Sequence, residues 1–332
     1  MRWIIPRLRD ERGATAVMVA VLMVPLIGFL AIALDVGALY AERGQLQNGA
    51  DAAALAIAQN CAEDGNCATP TAQAAQAAQA AAFANANAND GAANVLTPTI
   101  TQTATSGTVI VNSSTRVAGS NATAISHPFA RMIGADSTTV GAEATAEWGS
   151  PRAAPTILPI AISYCEFRPA LDGRLQLIRY DQNITCASRD GHPIPGGFGW
   201  LERMDGECGS FIDLADASMP SEPGNSYPSA CDAVMANMKG RTVLIPIFDR
   251  AATTRGPASS YHIYAFAAFT ITGWKLSGGT KMPTVNTDSA APKCTGNCRG
   301  IQGYFSRWVS VEAVGVELGG PDLGAKTVRL IN

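Results

Sequence analysis

The first pattern along the chain is an unbroken apolar run. Residues 14–34, ATAVMVAVLMVPLIGFLAIAL, contain no charged side chain. At the rise of an α-helix they cover roughly 30 Å, the thickness of a bilayer's hydrocarbon core. The flanks are asymmetric: Arg2, Arg7, Arg9 and Arg12 precede the run and Asp35 follows it. Positive charge stays on the cytoplasmic face, so the pattern predicts an inside N-terminus and a body outside the cytoplasmic membrane. Ala31-Ile32-Ala33 has the small residues of a leader cleavage site. The run is longer than a cleaved leader's apolar segment, and the helical pattern continues past Ala33, which favours a retained anchor. Pro25 sits mid-span, where proline is tolerated, and carries no functional weight.

Beyond Asp35 apolar residues return every three or four positions, at Val36, Leu39, Tyr40, Leu46, Ala50, Ala54 and Ile57. Glu42, Gln45, Asn48 and Gln59 lie off that face, and Arg43 and Gln47 interrupt it. This spacing predicts that the helix runs on to Cys61 as a stem. Span and stem together make one helix of roughly 45 residues, about 70 Å long. Its narrow, small-residue face suits packing against another helix or against the chain's own domain. Gly65 and Pro70 break the pattern, and residues 71–90 form a low-complexity Ala/Gln/Asn tract that reads as a packed helix or a spacer.

The period then changes. Val95–Gln102 and Thr108–Ala118 are β-branched and predict two strands around a Ser106-Gly107 turn. Phe129–Gly134 reads as a short helix and Thr138–Trp148 as a third strand, with Gly149-Ser150-Pro151 as a boundary. Further strands are expected over Thr156–Cys165, Leu175–Tyr180, Arg241–Phe248, Tyr261–Trp274, Ser306–Val316 and Thr327–Ile331, and a short helix over Ser229–Met238. Turns are expected at Pro223-Gly224, Gly278-Gly279 and Gly319-Gly320-Pro321. The fold class expected is α+β. A basic tail (1–13) and transmembrane helix (14–34) lead into a stem helix with a small α+β unit (35–150). A mainly β, disulfide-stapled extracytoplasmic domain (155–332) follows.

Composition changes this picture in two places. The chain is 47% hydrophobic but only 7% aromatic, and much of the apolar count is alanine, so core-forming capacity concentrates after Pro155. A net charge of −3 offers no basic footprint, and no nucleic acid is expected as a partner. Cys61, Cys67, Cys165, Cys186, Cys208, Cys231, Cys294 and Cys298 make an even set, which in an exported chain reads as disulfides. Cys61–Cys67 and Cys294–Cys298 are the easiest loops to close, with the other four paired among themselves; the connectivity stays open.

Candidate chemistry is thin. His127, His192 and His262 are the three histidines, none beside a recognised nucleophile motif. Cys294-Thr-Gly-Asn-Cys298 has no second Cys/His pair at finger-like spacing, so a small disulfide loop is favoured over half a zinc site. Pro195-Gly-Gly-Phe-Gly-Trp200 lacks a phosphate-loop arrangement and reads as a turn exposing aromatic residues. The sequons at Asn112, Asn121 and Asn183 are given no functional reading. No cofactor, metal or catalytic residue is expected.

The order of features resembles the TadE/TadG-like proteins of the tight-adherence (Flp) pilus system. The resemblance rests on Arg9-Asp10-Glu11-Arg12-Gly13-Ala14, the apolar span, Leu34-Asp35-Val36-Gly37-Ala38-Leu39-Tyr40, and Leu46-Gln47-Asn48-Gly49-Ala50-Asp51-Ala52-Ala53-Ala54-Leu55-Ala56. It is firm over residues 9–62 and looser to about residue 148. It implies a non-catalytic role in assembling, anchoring or capping a surface pilus, with other pilus-apparatus proteins or pilins as partners of the stem. Two departures matter. Met18 stands where processed pilin-like members carry a glutamate five residues after glycine, here Gly13, which argues against that processing. Asp216-Ala217-Ser218-Met219-Pro220 lacks the second serine of a von Willebrand A metal site, so no such domain is expected. Two other classes compete: a membrane-tethered module binding a cell-wall or external ligand, and an extracytoplasmic hydrolase.

Overall fold

The computed structural model describes residues 12–65, 67–167, 172–180, 185–216, 218–222, 227–252, 260–277, 281–310 and 315–331. The readings on residues 1–11, on Ala217, on Asn183, on the Pro223-Gly224 and Gly278-Gly279 turns, and on positions 311–314 of the Ser306–Val316 strand lie outside the described residues. The fold is α+β: a long N-terminal helix, a second helix, and then mainly β-strands with several disulfides.

Helix α1 spans Arg12–Asp64. Ala, Leu and Val fill it, and Pro25 is tolerated within it. It stops where Gly65 takes a left-handed φ of 70° and donates its N–H to the Cys61 carbonyl at 3.0 Å. Glycine enters that conformation without a Cβ clash. The Cys61–Cys67 disulfide then ties the turn. Helix α2 spans Pro70–Asn87. Its start has a local cause: Thr69 Oγ1 accepts the Ala72 N–H at 3.3 Å, and Pro70 occupies a first-turn site where a missing N–H costs nothing. The low-complexity tract is therefore helix, with Gln76, Ala80 and Ala84 buried four residues apart on one face.

The chain divides into two compact units. The first holds residues up to Ala53, Ala74–Pro98 and Val111–Ala144. Leu46, Ala84 and Ala93 form its buried cluster, with Val95, Val140 and Ala142 packed against them. Strand Ala93–Val95 runs antiparallel to Ser113–Thr115 in the register Ala93↔Thr115 and Val95↔Ser113. The strand expected over Val95–Gln102 is two strands, Ala93–Val95 and Thr99–Gln102. Pro98, which has no N–H for a ladder, lies in the gap. Phe129–Gly134 is a short 3-10 turn, Ala130–Ile133, closed by Gly134 at φ 92°. A two-residue strand pair, Ile125–Ser126 with Ser137–Thr138, brackets it.

The second unit holds Ala54–Gln73, Thr99–Ile110 and everything from Thr145. Ser106 and Gly107 belong to strand Ser106–Thr115 rather than to a turn. The reversal sits just before, where Thr103 Oγ1 accepts the Ser106 N–H at 3.0 Å. Gly107 leaves room for the Trp148 indole, whose Cζ2 would lie 2.3 Å from an added Cβ. The largest sheet follows the order Phe198–Trp200, Ile160–Ser163, Arg241–Ala251, Ser260–Lys275, Gly300–Ser306, Gln176–Arg179. Its central pair is a long antiparallel hairpin, from Arg241↔Ile271 to Ala251↔Tyr261. One side of the core gathers Ile160, Ile162, Ile178, Ile245, Phe269, Trp274 and Phe305, and another gathers Leu201, Phe248, Tyr261 and Phe266. Strand Ala325–Ile331 pairs antiparallel with the end of Gly141–Gly149, from Thr327↔Gly149 to Ile331↔Thr145.

Candidate functional site: the N-terminal helix and its collar

From residue 15 to residue 34 every side chain on α1 is exposed except Ala31, which is half-buried. Val24 and Phe29 are 73% and 71% exposed. A contiguous exposed apolar surface of this kind marks a contact with membrane or protein, and α1 is the one helix among the described residues long and apolar enough to cross a membrane.

The first charged side chain after this run is buried. Asp35 is 6% exposed, and its Oδ2 accepts the backbone N–H groups of Phe129 at 3.2 Å and Ala130 at 2.6 Å. These amides open the Ala130–Ile133 turn, and a carboxylate there satisfies donors the turn leaves unpaired. His127, two residues before Phe129, is buried, with its Nε2 2.8 Å from the Thr138 hydroxyl, which ties the two sides of the loop. The loop 127–136 is thus a collar pinned to the helix at Asp35. The sequence reading placed Asp35 at the end of the span and missed this role. Its signal would have been a carboxylate directly bordering an apolar run, a feature shared with residues that merely mark the end of a span.

Further along, the stem residues separate into two groups. Leu46, Ala50, Ala54 and Ile57 are buried to 1% or less, and Gly49, Ala53, Ala58 and Cys61 complete a continuous stripe at helical spacing. Val36 and Tyr40 stay exposed at 44% and 74%, with Leu39 half-buried. Polar groups fix the stem's position in its unit. Gln45 Oε1 accepts the Asn89 N–H at 2.8 Å, Gln47 donates to the Glu143 carbonyl at 3.0 Å, and the Leu46 carbonyl accepts the Ser113 hydroxyl at 3.1 Å.

The sulfur and imidazole groups lie elsewhere. All eight cysteines are bonded, as Cys61–Cys67, Cys165–Cys186, Cys208–Cys231 and Cys294–Cys298, so no free thiol exists. Among the described residues no group of His, Cys, Asp and Glu side chains could hold a metal ion. His192 is exposed on a turn, where its backbone N–H donates to Ser188 Oγ at 3.0 Å. His262 Nδ1 lies 2.6 Å from Asp249 Oδ1, and Asp249 is 4% exposed at an irregularity in the Arg241–Ala251 strand. This pair resembles half of an acid–base relay, yet no hydroxyl is hydrogen-bonded to the other ring nitrogen among the described residues. The shallow cleft lined by Glu202, Arg203, Asp205 and Glu222 has its guanidinium occupied, since Arg203 donates from Nε and Nη2 to both Glu222 oxygens at 2.7 and 3.0 Å. The aromatic residues expected on an exposed turn at 195–200 are instead internal. Phe198 and Trp200 are 4% and 5% exposed in a strand and belong to the main core, and Gly199 between them leaves room for the hydroxyl end of Tyr261, 2.2 Å from where a Cβ would stand.

The class these features define is a chain with one membrane-length N-terminal helix and a disulfide-bonded, mainly β body. Residues 13–60 match the family model described as "Putative Flp pilus-assembly TadE/G-like". The match lies wholly within α1. No curated protein and no solved structure matches the chain.

Proposed function

We propose that the protein is a single-pass, membrane-anchored and non-catalytic assembly component of a Tad (Flp)-type pilus system. Residues 14–34 cross the cytoplasmic membrane, residues 1–13 stay inside, and the body faces outward. The observation that carries this reading is the coincidence of the matched segment, 13–60, with a helix whose first part is exposed and apolar. Two further features support it: every cysteine is disulfide-bonded, as suits an oxidising compartment, and the arginines precede the span. Val36, Leu39 and Tyr40 form the part of the stem that would pack with other pilus-apparatus helices or pilins, while Leu46, Ala50, Ala54 and Ile57 hold the stem to the rest of the chain.

Deleting the gene while leaving its neighbours intact should abolish or sharply reduce pilus display on the cell surface. Normal piliation would sink the proposal. A metal-independent hydrolytic activity of the full chain, lost on His262→Gln, would overturn its non-catalytic part.

A further inference from the structure

We propose that the collar, residues 127–136, is a second membrane contact that rests in the outer interface of the same bilayer. The inference rests on reading residues 14–34 as the membrane anchor. Its geometry comes from Asp35. The Phe129 and Ala130 amides bind a carboxylate that directly follows the apolar run, so the collar sits at the level where the helix leaves the hydrocarbon. Helical side chains lean toward the N-terminus, so the Asp35 carboxylate reaches back over the turn that begins at Ala31. Ala31 lies four residues earlier on the same face, and it alone among residues 15–34 is partly covered. A collar held at Asp35 is thereby placed next to the last turn of the apolar run.

The exposed side chains of the collar suit that place. Met132 is 87% exposed and Phe129 is 44% exposed, both large and apolar on a short turn. Arg131 and Asp136 are exposed beside them, and His127 is buried. One cation and one anion leave the collar without net charge, so apolar insertion rather than attraction to anionic lipid drives the contact. The occupant is the boundary between headgroups and acyl chains, where a flexible thioether and an aromatic ring gain by leaving water.

The test uses the full chain in vesicles of phosphatidylethanolamine and phosphatidylglycerol, with a nitroxide on Met132→Cys, on Phe29→Cys in the span, or on Asn121→Cys. Asn121 is exposed in the loop after Ala118, whose N–H is held by Asp90 next to the Gln45 contact, about 15 Å further along the helix. The ratio of oxygen to aqueous-nickel accessibility at 132 should exceed that at 121 several-fold and fall below that at 29, with no change on adding salt. Equal, fully aqueous values at 132 and 121, with 29 shielded, would overturn the collar contact and leave the anchor standing. An aqueous value at 29 would overturn the anchor and the collar together. Met132→Trp, which adds no thiol to the disulfide set, offers a second measurement. Its added fluorescence should be quenched by lipids brominated near the top of the acyl chain, and an unquenched signal counts against the proposal.

Discussion

Gly49 shows how closely single residues set the helix packing. An added Cβ there would lie 2.9 Å from the Ala84 Cα, a backbone atom that cannot move without shifting α2. Gly49→Ala should destabilise the first unit by about 1–3 kcal/mol through overpacking, seen as a lower melting temperature of the detergent-solubilised chain. Gly44, five residues earlier, meets nothing within 4 Å, so Gly44→Ala should be neutral or slightly stabilising in the same assay. Glu42 makes a second residue-scale case. Burial pushes its carboxyl above the ordinary value of 4.5, the Thr115 hydroxyl opposes the rise, and the Asp90 charge adds to it. The fold therefore favours the protonated form, and stability is lost as pH climbs from 4.5 through the raised value. Glu42→Gln should melt above the parent at neutral pH and converge with it below 4.5. The periodicity points to Ala50 and Ala54 as part of a small-residue face but does not single out Gly49, whose close approach to Ala84 has no local mark. Neither the Glu42 burial nor the Asp35 collar was legible in the sequence, because both depend on groups 48 or more positions away in sequence: Asp90 for Glu42, and Phe129 and Ala130 for Asp35.

Among the elements, the disulfides differ in how much chain they restrain. Cys208–Cys231 closes a separation of 23 residues and Cys294–Cys298 one of four. Under the loop-entropy account, replacing the first pair by alanine should cost about 3 kcal/mol and the second about 2. Cys208 and Cys231 are also 5% and 1% exposed within the main core, so loss of packing adds to the first value. Calorimetry of the two double variants would check the order, and an equal or reversed cost would count against the loop argument. The same scale shows what periodicity can reveal. The runs Val243–Phe248 and Ile263–Ile271 are long and apolar, and they lie inside strands Arg241–Ala251 and Ser260–Lys275. Gly300–Ser306 was not read as a strand, since two of its seven residues are glycine. Gly303 is required there: a Cβ would fall 2.1 Å from the Thr270 carbonyl of the neighbouring strand. Two- and three-residue strands such as Thr185–Ala187 and Pro193–Pro195 are too short to show a period at all.

At the scale of the whole molecule the pairings with the greatest sequence separation leave no local mark. Val328 pairs with Trp148, and Arg329 donates to Glu147 and, at 2.6 Å, to the Val316 carbonyl. Strand Ala325–Ile331 looks like any short β-branched run, and nothing in its composition names a partner 180 residues earlier. Its energetic weight can still be argued from burial. Val328 is 0% exposed and Trp148 is 1% exposed, so the two interior side chains face a dry environment across adjacent strands. Val328→Asp would place a carboxylate there without a cation; Arg329, its neighbour, points to the opposite face by strand alternation. Burying an uncompensated charge costs several kcal/mol, a large share of a typical domain's stability. The variant should therefore lose cooperative unfolding or become protease-sensitive in the second unit, while Val328→Ile should keep both. If the pairing with 145–149 were dispensable, limited proteolysis of Val328→Asp would give the parent's fragment pattern, and this strand would have to be removed from the account of what holds the body together.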